Sequence, residues 1–243
     1  MNSKTTVFLA GDSTVQSYSI NDAPQSGWGQ QLIRYYGESY ICSKPCPDFP
    51  NVYRYESENI CIENRAMMAR STRTFLLEKR MENILKCIKQ GDWLLIQFGH
   101  NDANREKPER FADSELFKKN LIEGFIEPAR SKGVNCVLVT PIAMRLFDDQ
   151  GKCKISFPEY RQAMIDIGKK ADVPVIDLGL LTAQFNTDIG SEACKTIYMH
   201  VPEKVFDRWK DGNKDDAHLQ FNGAYAYAGI VAREINKLMD EKK

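Results

Sequence analysis

Five short apolar runs punctuate the chain: Val7–Ala10, Ile60–Glu63, Trp93–Phe98, Val134–Thr140 and Val173–Asp177. They are β-branched and nearly continuous in apolar character, the pattern of strands covered on both faces. Helical spacing of apolar residues recurs between them, over Gly29–Tyr36, Phe75–Gln90, Glu115–Lys132 and Pro158–Lys170, and again at the end over Asn222–Met239. Breakers sit where these helices should stop, at Gly91-Asp92, Lys132-Gly133 and Asp172-Val173-Pro174. Strand–helix alternation predicts an α/β fold of three layers, α/β/α, around a five-stranded parallel sheet. With right-handed crossovers the order is flavodoxin-like, 2-1-3-4-5. The first strand then lies between the second and third, and the loops leaving these three strands emerge side by side. In open α/β sheets that crevice is where ligands bind.

Residues 37–58 break the alternation, being rich in Pro, Tyr, Ser and charge. They predict a surface excursion or an extra hairpin. Cys42 and Cys46 lie inside it, but no second Cys/His pair with ligand spacing accompanies them, so a zinc site is not expected. No repeat or low-complexity tract divides the chain, and 243 residues are read as one domain, 1–243.

Composition narrows the function classes. Thirty-three basic residues balance 33 acidic ones, which leaves no electrostatic footprint for nucleic acid or an anionic membrane. No apolar run approaches the 18 or so residues of a membrane-spanning helix. The seven cysteines are odd in number and scattered, as expected of reduced thiols. Met1–Thr6 is polar and Val7–Ala10 is too short for a signal-peptide core, so a chain that starts natively here is expected in the cytoplasm. A secreted chain with its signal removed would read the same.

The candidate chemistry lies in the strand-exit loops. After the first strand comes Gly11-Asp12-Ser13-Thr14-Val15, where Ser13 is either a helix cap or a nucleophile. After the second comes Asn64-Arg65-Ala66-Met67-Met68-Ala69-Arg70-Ser71, with Ser71 placed to cap the next helix and the methionines read as packing. After the third comes Gly99-His100-Asn101-Asp102, either a turn with Asn in a left-handed conformation or an amide aimed into a cleft. Far downstream stands Asp215-Asp216-Ala217-His218. In a helical turn that spacing puts Asp215 and His218 on one side. A carboxylate there accepts the imidazole Nδ1–H and leaves Nε2 as a general base. Acyl hydrolysis needs a nucleophile, a base, a group that orients the base and donors for the oxyanion. Ser13, His218, Asp215 and the donors near Ala69 and Asn101 supply all four.

In this order the blocks Gly11-Asp12-Ser13-Thr14, Asn64 to Ser71, Gly99 to Asp102 and Asp215-x-x-His218 resemble the four blocks of the SGNH (GDSL-type) hydrolases. Within that superfamily the chain is most similar to the rhamnogalacturonan acetylesterases. The details are Thr14 after Ser13, Gly27-Trp28-Gly29, Arg70-Ser71, Pro174 to Leu178, and Tyr198-Met199-His200 ahead of the last block. The resemblance implies an SGNH-hydrolase fold and an esterase that removes acetyl groups from carbohydrate, pectic oligosaccharides foremost, through an acyl-enzyme. It implies Ser13 as nucleophile, His218 as base and then acid, and Asp215 as the group holding the His218 tautomer. The oxyanion would meet the Ser13 and Ala69 backbone N–H groups and the Asn101 side-chain amide. Asp12, Arg70, His100 and His200 are assigned to the substrate side, His100 also supporting the Asn101 loop. Ala69 departs from the family's usual Gly; if the backbone there has positive φ, Ala costs about 1 kcal/mol.

Three arginines, Arg65, Arg70 and Arg73, cluster in and just after the loop that follows the second strand, and one of them is expected to meet a uronate carboxylate. Trp28 and Trp209 are read as sugar-stacking or core residues. No amphipathic lid suits a long acyl chain, which favours acetyl. Two alternatives are another SGNH short-acyl esterase, thioesterase or lysophospholipase, and a catalytically weakened sugar-binding protein. No cofactor or metal is called for, and the chain is left open as monomer or homodimer.

Overall fold

Alternation inside the apolar runs decides the architecture. In the computed structural model, which describes residues 4–242, strand β1 (Thr6–Gly11) is buried throughout. Val7 and Leu9 join one core, and Phe8 and Ala10 the other. The chain continues through α1 (Trp28–Gln31), β2 (Ile41–Ser43), β3 (Tyr53–Glu56), β4 (Cys61–Asn64), α2 (Thr72–Leu77), α3 (Arg80–Cys87) and β5 (Trp93–Gln97). Then come α4 (Ser114–Lys119), α5 (Glu127–Arg130), β6 (Asn135–Val139), α6 (Pro158–Ala171), β7 (Val175–Ile176) and α7 (Leu178–Ile189). An antiparallel pair, β8 (Tyr198–Val201) and β9 (Asn213–Leu219), precedes the last helix, α8 (Phe221–Asp240). Trp93, Leu95, Val137 and Val139 face the α1/α8 side, while Leu94, Ile96 and Leu138 face the α2–α6 side. A strand with helices on both faces has no polar face to show, which is why these runs read as continuous.

The sheet order is β2-β3-β4-β1-β5-β6-β7. Its parallel part, β4-β1-β5-β6-β7, is the expected five in the expected order. Two antiparallel strands enlarge it to seven, because residues 37–58 fold into the β2/β3 hairpin and cover the edge of β4. The separate β8/β9 ribbon was not foreseen, since β8 is a mostly apolar run of only four residues and β9 is polar with no apolar period.

Several helices depart from their expected bounds. Residues 75–90 split, with Lys79 left-handed (φ +57°) between α2 and α3. Residues 115–132 pass from α4 through a π-helical stretch, Asn120–Ile126, into α5. Pro128 lacks the N–H that a continuous α-helix would need there. Helix α7 was missed because its polar Thr182 and Asn186 turn inward while Leu180 and Leu181 stay partly exposed, which blurs the helical period. All seven cysteines are free thiols. No helix among the described residues is long and apolar enough to cross a membrane.

Candidate active site

Gly11 ends β1, and the next three residues fold back on themselves. The Asp12 carbonyl accepts from the N–H groups of Val15 and Gln16 at 3.2 and 3.1 Å. Its carboxylate Oδ1 accepts from the Thr14 N–H at 2.9 Å and the Thr14 hydroxyl at 2.8 Å. This turn presents Ser13 at the carboxyl end of the central strand. Deeper polar contacts hold it there: Trp28 Nε1 donates to Gln97 Oε1 at 2.7 Å, and Gln97 Nε2 donates to Thr14 Oγ1 at 2.6 Å. Gly29 is required by close approach, since a Cβ would come within 2.5 Å of the Val15 carbonyl oxygen. Trp28 is therefore core, not a sugar platform.

The Ser13 hydroxyl lies 3.0 Å from His218 Nε2, and His218 Nδ1 lies 2.7 Å from Asp215 Oδ2. The pair does not sit on a helical turn, as its spacing had suggested, but on β9. The Asp215 side chain itself makes the turn, because Oδ1 accepts the N–H groups of Ala217 at 2.7 Å and His218 at 3.0 Å. Gln220 Nε2 braces the ribbon by donating to the Tyr198 carbonyl at 2.7 Å. Burial raises the Asp215 carboxyl, but its hydrogen bonds and the His218 charge outweigh that and hold it down at about 2. Burial opposes a charged His218, yet the hydrogen bond and charge of Asp215, with Asp12 behind them, lift its pKa above the ordinary 6.5.

Three candidate donors stand on the loops that follow β1, β4 and β5. Among the described residues the backbone N–H groups of Ser13 and Ala69 have no acceptor in the protein. In the second loop, by contrast, Met67 N–H donates to the Gly11 carbonyl at 3.0 Å, Met68 N–H to Gln16 Oε1, and Arg70 N–H to the Met67 carbonyl at 3.3 Å. The Ala69 N–H is thus the one left over. Ala69 adopts φ +62°, the left-handed region that favours glycine. Asn101 Nδ2 donates one hydrogen to the Arg70 carbonyl at 3.0 Å and keeps the other.

Asp102, whose role has no mark in the sequence, ties the two donor loops together. Its Oδ1 accepts the Thr72 N–H at 2.9 Å and the Thr72 hydroxyl at 2.5 Å, at the start of α2. Burial is the main cause that pushes its carboxyl up to about 7, against the Thr72 bonds and with help from Asp12. Gln97 is the other residue missed. It is the lone amide inside the apolar run 93–98, and that lone polar position was its signal.

The residues assigned to the substrate side are differently placed. Asp12 is 0% exposed and cannot touch substrate. Burial raises its carboxyl, but the charge of His100 and the Thr14 bonds bring it below the usual value. His100 turns inward: Nδ1 stands 3.4 Å from Asp12 Oδ2, and its ring lies 4.6 Å from the Phe157 ring. It backs the Asn101 loop rather than facing the cleft. Arg70 stays at the rim, with Nε bonded to both Glu78 oxygens at 2.9 and 3.0 Å. Arg65 is buried on Glu63, and Arg73 is exposed with a bond to the Pro108 carbonyl at 3.1 Å. His200 Nε2 meets Asp216 Oδ1 at 2.7 Å, and Arg145 holds the same carboxylate at 3.2 Å. Trp209 is half-buried in the turn between β8 and β9, under the Arg208 guanidinium at 5.5 Å. No group of three or more His, Cys, Asp or Glu among the described residues could hold a metal ion.

The family described as GDSL-like Lipase/Acylhydrolase matches residues 7–227. The chain is 35% identical over 232 residues to rhamnogalacturonan acetylesterase RhgT of Bacillus subtilis strain 168, covering 96% of this chain and 90% of that one. It is 34% identical to the probable rhamnogalacturonan acetylesterase YesY of the same strain, covering 96% and 93%. The crystal structure of Bacillus subtilis YxiM superposes with a TM-score of 0.75 at 27% identity, over 97% of this chain but only 57% of that longer one.

Proposed function

Because the chain belongs to the GDSL-like lipase/acylhydrolase family, we propose that it is a serine esterase that removes acetyl groups from acetylated pectic carbohydrate, rhamnogalacturonan-derived oligosaccharides foremost. One observation carries the chemistry: Ser13 Oγ lies 3.0 Å from an imidazole nitrogen whose opposite nitrogen is held by a carboxylate. His218 Nε2 takes the Ser13 proton as Oγ adds to the acetyl carbonyl carbon. Asp215 stabilises the imidazolium that forms. The new oxyanion accepts from Ser13 N–H, Ala69 N–H and the free Asn101 Nδ2 hydrogen. As the tetrahedral species collapses, the bond to the sugar oxygen breaks, and His218 returns the proton to that oxygen. Water, deprotonated by His218, then attacks the acetyl carbonyl carbon; the bond to Ser13 Oγ breaks, His218 returns the proton to Oγ, and acetate leaves.

The acyl group is taken as acetyl and the substrate as a sugar because the two named relatives, both called rhamnogalacturonan acetylesterases, align over almost the whole chain. The test is acetate release from acetylated pectic, xylan and chitin oligosaccharides. Release from the pectic set is expected, with Ser13→Ala and His218→Ala each about 10³-fold slower or worse. Turnover of nitrophenyl octanoate with no acetate from any oligosaccharide would instead favour a lipid or thioester hydrolase.

A further inference from the structure

The arginines that the sequence puts forward for a substrate carboxylate do not offer one a free fork. Arg65 and Arg70 are paired with Glu63 and Glu78, and Arg73 is tied to a backbone carbonyl. Arg34 differs. It is exposed, on the 3₁₀ turn Leu32–Tyr35 that continues α1. Its guanidinium carbon lies 5.3 Å from the centre of the Phe221 ring and 5.9 Å from that of Tyr40. Nε donates to Gln31 Oε1 at 2.9 Å. Among the described residues no acceptor meets its two terminal nitrogens and no carboxylate pairs with it. A guanidinium fixed at Nε and flanked by aromatic rings, with both terminal nitrogens free, is preorganised for a bidentate carboxylate.

Shared walls connect the surroundings of Arg34 to the loop that carries Ser13. A groove of about 310 Å³ is lined by Arg34, Glu38, Tyr40, Phe221 and Tyr225. Phe221 and Tyr225 leave 41% and 40% of their surface exposed, which gives apolar edges to the C–H face of a sugar. Phe221 also lines the adjoining cavity, about 270 Å³, which Tyr18 walls. The Tyr18 hydroxyl donates to the Ser13 carbonyl at 2.9 Å. In sequence Phe221 is three residues after His218, at most about 11 Å of extended chain. On the esterase reading above, we infer that Arg34, with Phe221 and Tyr40, is a distal subsite that grips a uronate carboxylate of the oligosaccharide whose acetyl ester lies at Ser13. Glu38 lines the same groove and opposes a bound anion from its exposed position.

The test compares wild type with Arg34→Gln and Arg34→Lys on acetylated oligosaccharides with uronate residues, on neutral acetylated xylo-oligosaccharides and on nitrophenyl acetate. Arg34→Gln is expected to raise KM about 10-fold on the acidic substrate alone, with kcat unchanged. Arg34→Lys keeps the charge without the fork and restores only part of the affinity. An unchanged KM on the acidic substrate in Arg34→Gln overturns the subsite. If wild type releases no acetate from the acidic oligosaccharides, the esterase reading fails separately. The subsite is then judged by calorimetric titration with deacetylated oligogalacturonate: binding lost in Arg34→Gln supports it, and no binding to wild type rejects it.

Discussion

Ser13 and His218 are 205 positions apart, and their contact makes the hydroxyl a candidate nucleophile. The imidazole must be neutral to take its proton. Asp215 raises the His218 pKa above 6.5, so the base form grows as pH rises through a value higher than that of a free histidine. Turnover of nitrophenyl acetate is expected to climb with pH to a plateau, with its midpoint above 6.5. In Asp215→Asn the midpoint should move down and the plateau should fall. A pH-independent rate between 5 and 9 would remove His218 from the role of base. Ala69 is the other residue whose backbone carries an argument. Its φ of +62° costs about 1 kcal/mol in an L-residue other than Gly. Ala69→Gly is expected to raise stability to urea by up to about 1 kcal/mol, part of which is offset by the freer unfolded chain. Turnover should persist, because the N–H stays. A variant less stable than wild type would mean that the Ala69 methyl makes contacts worth more than the strain.

The elements matter as carriers of donors. Ala69 and Asn101 leave different strands, β4 and β5, and nothing local in either loop sets their separation. Asp102 sets it by holding the first residue of α2, and Asn101 adds its own bond to the Arg70 carbonyl. Thr72→Val removes the 2.5 Å hydroxyl bond to Asp102, together with the bond that the hydroxyl accepts from Asn120 Nδ2 at 3.0 Å, and leaves the backbone bond to Asp102. A displaced oxyanion donor weakens only transition-state binding, so kcat should fall about 10-fold while KM holds. Thr72→Ser should restore the rate. Equal loss in the valine and serine variants would count against the hydroxyl bond. This tie was legible only in part. The capping of α2 by Ser71 follows from sequence, and Ser71 Oγ does accept the Thr74 N–H at 3.3 Å. The partnership of Thr72 with a residue 30 positions on has no periodic signature.

Across the whole molecule, two titrating groups pull stability in one direction. The Asp102 carboxyl ionises at about 7 in the folded protein and near 4 when unfolded. The folded state therefore holds this proton more tightly, and stability falls as pH rises from about 4 to about 7. His218, with a raised pKa, contributes stability that is complete below about 6.5 and fades as pH rises through its folded value. Asp215 acts oppositely, but its contribution is lost only as pH falls below about 4 toward 2. Thermal unfolding followed by circular dichroism should give a higher Tm at pH 5 than at pH 8, and Asp102→Asn should reduce the difference. A Tm that rises from pH 5 to 8 in wild type would contradict the buried, readily protonated Asp102.

By itself the sequence determined the strand runs, the parallel order of five, the major helices and the candidate residues Ser13, Asp215, His218, Ala69 and Asn101. The runs, breakers and short blocks next to strand ends are local, and the order of five follows from them by right-handed crossovers. Tertiary structure alone decided which polar groups meet. It turned Asp12 and His100 inward, occupied Arg65 and Arg70 with carboxylates, left Arg34 free between two rings, and folded residues 37–58 onto the sheet edge. Hydrophobic periodicity reports how one segment faces solvent, whereas hydrogen bonds and ion pairs form between segments that carry no mark of each other until the sheet brings them together.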